Sequence, residues 1–401
     1  MRSYSSPLAH PLPLPCGTVL PNRFVKSAMG EGLAGRDRLP NGLHCVLYRA
    51  WADGGAGALI TGNIMVDPDQ CPPSGNVAIG PATPVEPFRA WAASVRGNDC
   101  KILAQLNHPG RQIAKKYIAT PLAPSPIRLH KGLMRCGIPR QLEHKEILGI
   151  IDAFSRAARV CQAAGFDGVE IHAAHGYLIS QFLSPLTNHR TDEWGGDPVR
   201  RQQFLIRIAK AVRDTVGADF VVGVKLNSAD FQRGGLDNDE SLAVMHALAG
   251  LRIDFLEISG GTYESPVTLG KGYGASSASR EAYFTDFAIM ARKAFPLPIL
   301  LTGGFRTASA MSAAVEEGVT DLVGLARALA QQPGLPRCAL SGQQLPPISG
   351  PRLLGHKRLD ALVDLRWHVA QIQRIAAGQK PDLALSSWSA LKQSLIRIYG
   401  I

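Results

Sequence analysis

Residues 146–173 read EILGIIDAFSRAARVCQAAGFDGVEIHA, a helix-like stretch that leads into a strand-like one. Before Gly165, which supplies a stop, apolar residues recur at the spacing of one helix face: Ile147, Ile150, Ile151, Phe154, Ala158 and Cys161. The stretch Gly168–Ala173 follows, in which apolar and polar residues alternate, and it predicts a strand. A helix followed directly by a buried strand is the repeating unit of α/β proteins with parallel sheets.

The same alternation recurs along the whole chain. Eight strands are predicted, each followed by a connection long enough for a helix: Phe24–Met29, Ala56–Asn63, Lys101–His108, Gly168–Ala173, Phe220–Asn227, Asp254–Ser259, Pro298–Gly303 and Thr320–Leu325. Helix starts are predicted at Asp197, Asp237 and Thr307 from their capping side chains. Eight units predict a (β/α)8 TIM barrel. An open doubly wound sheet is the alternative, but no G-x-G-x-x-G follows the first strand.

Two segments exceed a minimal barrel. The third connection, His108–Lys145, is long and rich in proline, and its place above the strand ends predicts a lid. The tail has helical patterns at Leu362–Ala377 and Trp388–Ile398. We therefore predict a barrel over residues 1–335 and a C-terminal helical extension over 336–401, packed on the barrel or at a homo-oligomer contact.

Composition restricts the classes of function. The formal charge of +11 fits an anionic ligand or a solvated basic surface, and the absence of a basic tract argues against nucleic acid. None of the seven cysteines stands in a C-x-x-C pair, so neither zinc nor an iron–sulfur cluster is expected. Scattered cysteines fit a cytoplasmic protein. No apolar run is long enough for a membrane span.

The fourth strand ends in a cluster of polar side chains, His172, His175 and Tyr177. Strand alternation places Glu170 and His172 on the face towards the barrel axis. Two imidazoles can donate hydrogen bonds to one oxygen, and a phenol can supply a proton. A structural histidine pair is the plain alternative, and a zinc site is disfavoured because no third ligand stands out.

Two further strands carry inward polar residues. The Gln105 amide suits the edge of a flat heterocycle, although a satisfied interior amide is the alternative. Lys225 needs a partner inside a barrel, such as Glu170 or Glu257. Alternation is predicted to turn Lys26 inward as well, and we predict that Lys26 or Lys225 pairs with Glu170.

The loops after the last two strands contain Gly303, Gly304, Ala326 and Arg327. Barrel phosphate sites commonly use these two loops, where glycine admits close backbone approach and arginine adds charge. A role in tight turns alone is the alternative. The position of both loops favours phosphate binding.

Residues 168–196, GVEIHAAHGYLISQFLSPLTNHRTDEWGG, resemble the signature of the Old Yellow Enzyme (NADH:flavin oxidoreductase) family. Four further stretches resemble the same family: PNRFVKSAM (21–29), LAQLNHPGRQ (103–112), LEISGGTYE (256–264) and LTGGFRT (301–307). The resemblance covers about residues 18 to 335. It implies an FMN-dependent ene-reductase that takes electrons from NADH or NADPH.

The resemblance also implies roles for particular residues. FMN would lie in the barrel mouth, and its contacts would be made by Ala28, Met29, Gly62, Gln105, Lys225, Gly303, Gly304, Ala326 and Arg327. His172 and His175 would hold the carbonyl oxygen of a small electrophilic substrate, and Tyr177 would deliver a proton to the α-carbon. Lys225 stands where the family commonly has arginine, and Gly30 where it often has threonine or cysteine.

Two other classes of function compete with this hypothesis. A non-redox, phosphate-binding TIM-barrel isomerase or lyase would use the same glycine loops and purify without colour. A non-catalytic protein would keep flavin without turnover. Neither explains His172, His175 and Tyr177 together as well.

Overall fold

Eight parallel strands close into a barrel in the computed structural model, which describes residues 6–73, 75–129, 135–262, 264–265, 281–355 and 357–392. Each strand pairs with the next and the eighth with the first, which confirms the TIM barrel. Gly168–Ala173 has its predicted bounds, whereas most others are shorter than predicted. The strands are β1 (Phe24–Lys26), β2 (Ala58–Ile60), β3 (Lys101–Asn107), β4 (Gly168–Ala173), β5 (Val221–Asn227), β6 (Phe255–Ser259), β7 (Ile299–Thr302) and β8 (Leu322–Leu325).

Helices connect the strands and continue after β8. Asp197, Asp237 and Thr307 cap helices as predicted, because each side chain accepts a backbone N–H of the first turn. The described helices are α1 (Gly42–Asp53), α2 (Glu86–Ala93), α3 (His144–Ala164), α4 (Leu178–Leu183), α5 (Pro198–Arg201), α6 (Gln203–Val216), α7 (Asn238–Ala249), α8 (Thr285–Ala294), α9 (Ala308–Glu316), α10 (Arg327–Gln331), α11 (Leu335–Leu340) and α12 (Lys357–Ala376). Short strands lie at Leu12–Pro13, Val19–Leu20, Ile64–Met65, Val77–Ala78, Leu122–Ala123 and Arg140–Gln141.

The barrel interior has an apolar lower layer near the strand N-termini. Its buried members are Leu14, Leu20, Val25, Ala58, Ile60, Leu103, Val221, Phe255, Leu300 and Leu322. Leu14 and Leu20 come from the N-terminal hairpin, in which Leu12–Pro13 pairs antiparallel with Val19–Leu20, so this hairpin closes the lower end. Polar side chains are left to the C-terminal ends of the strands, where barrel enzymes bind their ligands.

Lys26 lies against the helix layer, so the prediction that it points into the barrel is wrong. Its Nζ donates to the Ile60 carbonyl oxygen at 2.7 Å and to the Tyr48 hydroxyl at 3.3 Å, and lies 4.5 Å from the Trp51 ring centroid. Tyr48 and Trp51 belong to α1. The alternation in β1 has the opposite phase, because Val25 packs in the barrel interior. Burial lowers the pKa of Lys26 to about 8.

The third connection, His108–Lys145, contains a small parallel pair in which Leu122–Ala123 lies beside Arg140–Gln141. Arg190, which follows α4, donates to one carbonyl oxygen next to each of these short strands, at 3.2 and 2.7 Å. The connection is thereby attached to the loop after β4. Residues 130–134 lie outside the described residues, and the lid function stays a prediction.

The chain after β8 packs against the outside of the barrel. Helix α12 contacts α1 and α10, and it includes the helix predicted over Leu362–Ala377 except for the last residue. Trp367 in α12 is fully buried, and its Nε1 donates to the Leu385 carbonyl oxygen at 2.9 Å. A further helix occupies 387–392, and the rest of the one predicted over Trp388–Ile398 lies outside the described residues. No helix in the described part of the chain has the length and apolar character of a membrane span.

Replacing Asp254 with alanine should lower the free energy of unfolding by about 3–5 kcal/mol, the usual cost of removing one partner of a buried ion pair. Asp254 is 1% exposed and accepts from Arg213 Nη2 at 2.6 Å and from the backbone N–H groups of Cys16 and Val222. The variant leaves the buried Arg213 guanidinium without its counter-ion. Urea unfolding of the two proteins measures the change.

The matched control is Asp214→Ala, which breaks the exposed Lys210–Asp214 pair on the same helix as Arg213. Exposed pairs contribute about 0–1 kcal/mol. Equal losses in the two variants would contradict the structural role assigned to Asp254.

Candidate active site

His172, His175 and Tyr177 come together at the C-terminal end of β4. His172 lies in the strand and is buried, whereas His175 and Tyr177 are half-buried in the loop that leads to α4. The ring centroids of His172 and His175 are 5.1 Å apart, and those of His172 and Tyr177 are 4.9 Å apart. The structure therefore brings together the three side chains predicted to carry the chemistry.

The hydrogen bonds of His172 define which ring nitrogen carries its proton. The backbone N–H of Ala174 donates to Nδ1 at 3.2 Å, so the proton of the neutral ring is on Nε2. Burial, aided by His175 and Lys225, holds the pKa of His172 well below its usual value. Burial and Lys225 lower the pKa of His175 to about 3. Both rings are therefore neutral near pH 7 and can donate hydrogen bonds without carrying charge.

His175 is held in an unusual backbone conformation. Its φ is +61°, in the left-handed region that residues other than glycine rarely adopt. Asn227 Oδ1 accepts its N–H at 3.1 Å, and Gln112 Nε2 donates to its carbonyl oxygen at 3.0 Å. Its Nε2 lies 2.7 Å from the Ser259 Oγ. Backbone strain held by surrounding contacts is common at functional sites, so His175 has the features of a positioned active-site residue.

A cavity of about 570 Å³ runs from His175 to the loops after β7 and β8. Ligand sites commonly have volumes of roughly 300–1,000 Å³. The cavity joins the histidine cluster to the loops predicted to bind phosphate. Its wall contains seven predicted site residues: Ala28, His175, Lys225, Gly303, Gly304, Ala326 and Arg327. Five others are not part of the wall: Met29, Gly62, Gln105, His172 and Tyr177.

Gly303 and Gly304 form the turn after β7, with φ values of +120° and +93°. A Cβ on Gly304 would lie 3.0 Å from the Ala282 backbone nitrogen and 3.1 Å from the Tyr283 ring. Backbone conformation and close packing therefore both require glycine at position 304. The turn offers main-chain atoms, rather than side chains, to the cavity.

The C-terminal extension supplies part of the same cavity wall, which the sequence analysis did not predict. Asp364 and His368 of α12 line it, and the Asp364 Oδ2 lies 3.3 Å from Arg327 Nη1. His368 contacts Gln331, whose amide oxygen accepts the Ser349 N–H at 3.0 Å. The i, i+4 spacing of Asp364 and His368 was the available signal, since it places both on one helix face.

Lys225 pairs with Glu257, with Nζ 2.9 Å from Oε1. Glu170 instead accepts a hydrogen bond from Gln105 Nε2 at 2.6 Å, and Lys26 pairs with Glu31 at 3.7 Å. The prediction that Lys26 or Lys225 pairs with Glu170 is therefore wrong. The register explains the choice for Lys225, because it lies directly opposite Glu257 on the neighbouring strand.

The three residues predicted to contact a flavin through the backbone lie in different surroundings. Ala28 lines the cavity, whereas Met29 packs against the outer core. The Gly62 N–H donates to Glu31 at 2.8 Å, and the Gly62 carbonyl oxygen accepts from the Thr61 hydroxyl. A Cβ on Gly62 would lie 2.5 Å from the Met29 carbonyl oxygen, so glycine lets the two loops meet. Gly62 contributes shape rather than a hydrogen-bonding group.

Two hydroxyl side chains in the cavity wall were also not predicted as site residues. Ser259 contacts His175, and Thr302 donates to Glu257 Oε1 at 2.6 Å. Both lie within stretches that carry the family resemblance, and a hydroxyl at the last residue of a barrel strand was the available signal. Within the described residues, no three His, Cys, Asp or Glu side chains gather as metal ligands would.

Comparison with known proteins gives consistent matches over most of the chain. The family model for the NADH:flavin oxidoreductase / NADH oxidase family matches residues 8–345. The NADH-dependent flavin oxidoreductase iliE of Hypocrea jecorina (strain QM6a) is 40% identical over 386 residues, which cover 88% of this chain and 96% of that protein.

Two of the similar solved structures are each 26% identical to this chain in sequence. A 2-naphthoyl-CoA reductase complex has a TM-score of 0.78 over 84% of this chain and 52% of its own. The old yellow enzyme homologue from Zymomonas mobilis has a TM-score of 0.72 over 85% of this chain and 94% of its own. These matches favour flavin redox chemistry over the isomerase or lyase alternative.

Proposed function

Since the chain belongs to the NADH:flavin oxidoreductase / NADH oxidase family, we propose that it is an FMN-dependent ene-reductase. NADH or NADPH is the reductant, and the acceptor is the activated C=C bond of an α,β-unsaturated carbonyl compound or a similar electrophile. The observation that carries the proposal is the cluster of His172, His175 and Tyr177 beside a cavity that ends at the loops after β7 and β8. Two neutral hydrogen-bond donors and a phenol are the groups that this reaction requires.

The residues of the cavity fit FMN in shape and in charge. One end has the Gly303–Gly304 turn, where a Cβ would fill the space against Tyr283, and the Arg327 guanidinium, which together suit a phosphate. The other end has Lys225 in its wall. Bound FMN supplies the hydride chemistry, and the protein supplies position and charge.

Gln105 is suited to the pyrimidine edge of the flavin through its amide oxygen. One hydrogen of its Nε2 is already donated to Glu170, which fixes the orientation of the amide. Ala28, Met29 and Gly62 would border the ring through shape, and Ala326 would lie next to the phosphate.

His172 and His175 would bind the carbonyl oxygen of the substrate. Negative charge builds on that oxygen when hydride reaches the β-carbon, so donors in fixed positions stabilise the transition state more than the ground state. The Nε2 proton of His172 is available for this contact, because its Nδ1 is occupied by the Ala174 N–H. Because the neutral rings keep their protons, the proton for the α-carbon must come from another group.

Tyr177 would supply that proton. Its ring lies against the ring of His172, which places the phenol on the same side of the site as the oxygen-binding pair. A proton donated to the α-carbon completes the reduction, and the phenol regains its proton from water. Hydride and proton then arrive at neighbouring carbons, and the C=C bond becomes a C–C bond.

The test is spectroscopic. The purified protein should be yellow, anaerobic NADH or NADPH should bleach the flavin absorbance, and an α,β-unsaturated ketone should restore it with formation of the saturated ketone. A colourless protein that cannot be loaded with FMN would overturn the proposal. A flavin that neither nicotinamide can reduce would favour a non-catalytic flavin-binding protein instead.

We also propose the division of the chain into a barrel, residues 1–335, and an extension, residues 336–401. The packing of α12 on α1 and α10 supports it, although α11 begins at Leu335 and runs across the boundary. Because Asp364 and His368 line the cavity, the extension would contribute to the cofactor site as well as to stability.

A further inference from the structure

Polar side chains form a continuous belt across the upper layer of the barrel. Its contacts are Gln105 Nε2 to Glu170 Oε2 at 2.6 Å, Lys225 Nζ to Glu257 Oε1 at 2.9 Å, Thr302 Oγ1 to the same Glu257 oxygen at 2.6 Å, and Ser27 Oγ to Thr302 Oγ1 at 2.7 Å. Gln105 and Lys225 are both proposed flavin contacts. The belt therefore lies directly behind the proposed flavin site.

The belt contains two carboxyl groups and one cation. Glu170 and Glu257 are both fully buried, and Lys225 is 3% exposed. Glu170 Oε1 and Glu257 Oε2 have no hydrogen-bond partner among the described residues, and the two carboxyl groups are close enough for each to affect the pKa of the other. Two ionised carboxyl groups buried with a single cation would leave one negative charge without a counter-ion, which favours a proton on one of them.

The proton belongs to Glu170. Burial and the neighbouring Glu257 raise the pKa of Glu170 well above its usual value, whereas Lys225 and Thr302 hold the pKa of Glu257 below its usual value against the effect of burial. Glu170 is therefore the neutral carboxyl group of the two. The ionised Glu257 and the charged Lys225 leave the belt with no net charge.

From this geometry we propose that Glu257 sets the reduction potential of the bound flavin by cancelling the charge of Lys225, with Glu170 as a protonated positioning residue. The inference rests on the proposed function, since it requires FMN in the cavity. A lysine without a counter-ion would favour the extra negative charge that the isoalloxazine ring gains on reduction. A lysine whose Nζ lies 2.9 Å from a glutamate oxygen, as in the Lys225–Glu257 pair, favours that negative charge less.

The other charged or titratable groups around the belt do not replace this pair. His172 and His175 both sense Lys225 and are neutral, because burial and that lysine depress their pKa values. Lys26 lies on the outer side of β1 and has its own partner, Glu31. The electrostatic contribution of the belt at the flavin is therefore decided by Lys225 and Glu257.

Two isosteric variants separate the carboxyl groups, and both are measured as FMN-loaded protein by dye-equilibrated redox titration. Glu257→Gln leaves Lys225 uncompensated, and it should raise the flavin midpoint potential by about 30 mV or more, which is a tenfold change for a two-electron couple. Glu170→Gln replaces a neutral acid with a neutral amide, and it should leave the potential close to that of the wild type. Equal shifts in both variants, or no shift in Glu257→Gln, would overturn the proposal.

A second measurement does not depend on the folding of Glu257→Gln. Infrared spectra of the wild type should contain the carbonyl stretch of a buried protonated carboxyl group, and Glu170→Gln should lack that band. A wild-type spectrum without the band would overturn the assignment of a proton to Glu170. If the wild type fails to bind FMN, both the proposed function and this inference are overturned. If the wild type binds FMN but Glu257→Gln leaves the flavin potential unchanged, only the inference is overturned.

Discussion

Replacing Tyr177 with phenylalanine is expected to lower kcat for an α,β-unsaturated ketone by about 10²–10⁴-fold, the usual contribution of a positioned general acid. The Tyr177 ring packs against the His172 ring with centroids 4.9 Å apart, and phenylalanine preserves that contact. Only the hydroxyl is removed, so the α-carbon loses its proton donor while the binding surface is retained. Stopped-flow reoxidation of the reduced flavin by the ketone measures the step.

The same variant should leave the other half-reaction unchanged. Reduction of the flavin by NADH or NADPH requires no proton from Tyr177, so its rate should match that of the wild type. Tyr117→Phe, at an exposed tyrosine in the third connection, is the matched control and should leave both half-reactions unchanged. Slower reduction by nicotinamide combined with normal ketone turnover would contradict the assigned role.

Replacing His172 with alanine should lower kcat for the same ketone by about 10²–10³-fold, or about 2.7–4 kcal/mol, the cost of one oxyanion-hole donor. His172 is 3% exposed, and its ring touches both His175 and Tyr177. Binding of a phenol, whose oxygen resembles the enolate oxygen, should weaken far more than binding of FMN. Phenol titrations followed by the flavin absorbance compare the two affinities.

His172→Asn is the matched control, because an amide restores a neutral N–H donor and should recover part of the lost rate. Equal losses of phenol and FMN binding in His172→Ala would indicate a structural role.

In the wild type, the His175 pKa of about 3 and the depressed His172 pKa keep both rings neutral, so the affinity for a neutral ketone should be flat from about pH 5 to 8.

The depressed histidine pKa values also make the free energy of unfolding depend on pH. The unfolded chain protonates His175 near its usual pKa of 6.5, whereas the folded protein does so only near 3. Below pH 6.5 the unfolded state binds more protons, so the free energy of unfolding falls as the pH is lowered towards 3.

The fold was predictable because each α/β unit carries its own local pattern. The run Gly168–Ala173 was located to the residue, since apolar side chains alternate with two inward polar ones and a glycine-ended helix comes directly before it. The phase of a strand as short as β1 was not predictable. With three residues, Phe24–Lys26, all of them buried, the sequence has no exposed position from which to count.

For the site as well, contacts between residues close in sequence were predictable and long-range contacts were not. His172, His175 and Tyr177 are close in sequence, so their meeting required only the strand and its loop. The partner of Lys225 depended on the register between β5 and β6, which no local pattern specifies. Asp364 reaches Arg327 across 37 positions of the chain, and that contact depends on how α12 packs.

The N-terminal hairpin that fills the floor of the barrel with Leu14 and Leu20 has a kinetic consequence. Because side chains fill one end of the cylinder, ligands can enter only through the opposite opening. Nicotinamide and electrophile must therefore bind through that opening one after the other. Each would then obstruct the other when present in excess, and turnover should pass through a maximum as either concentration rises.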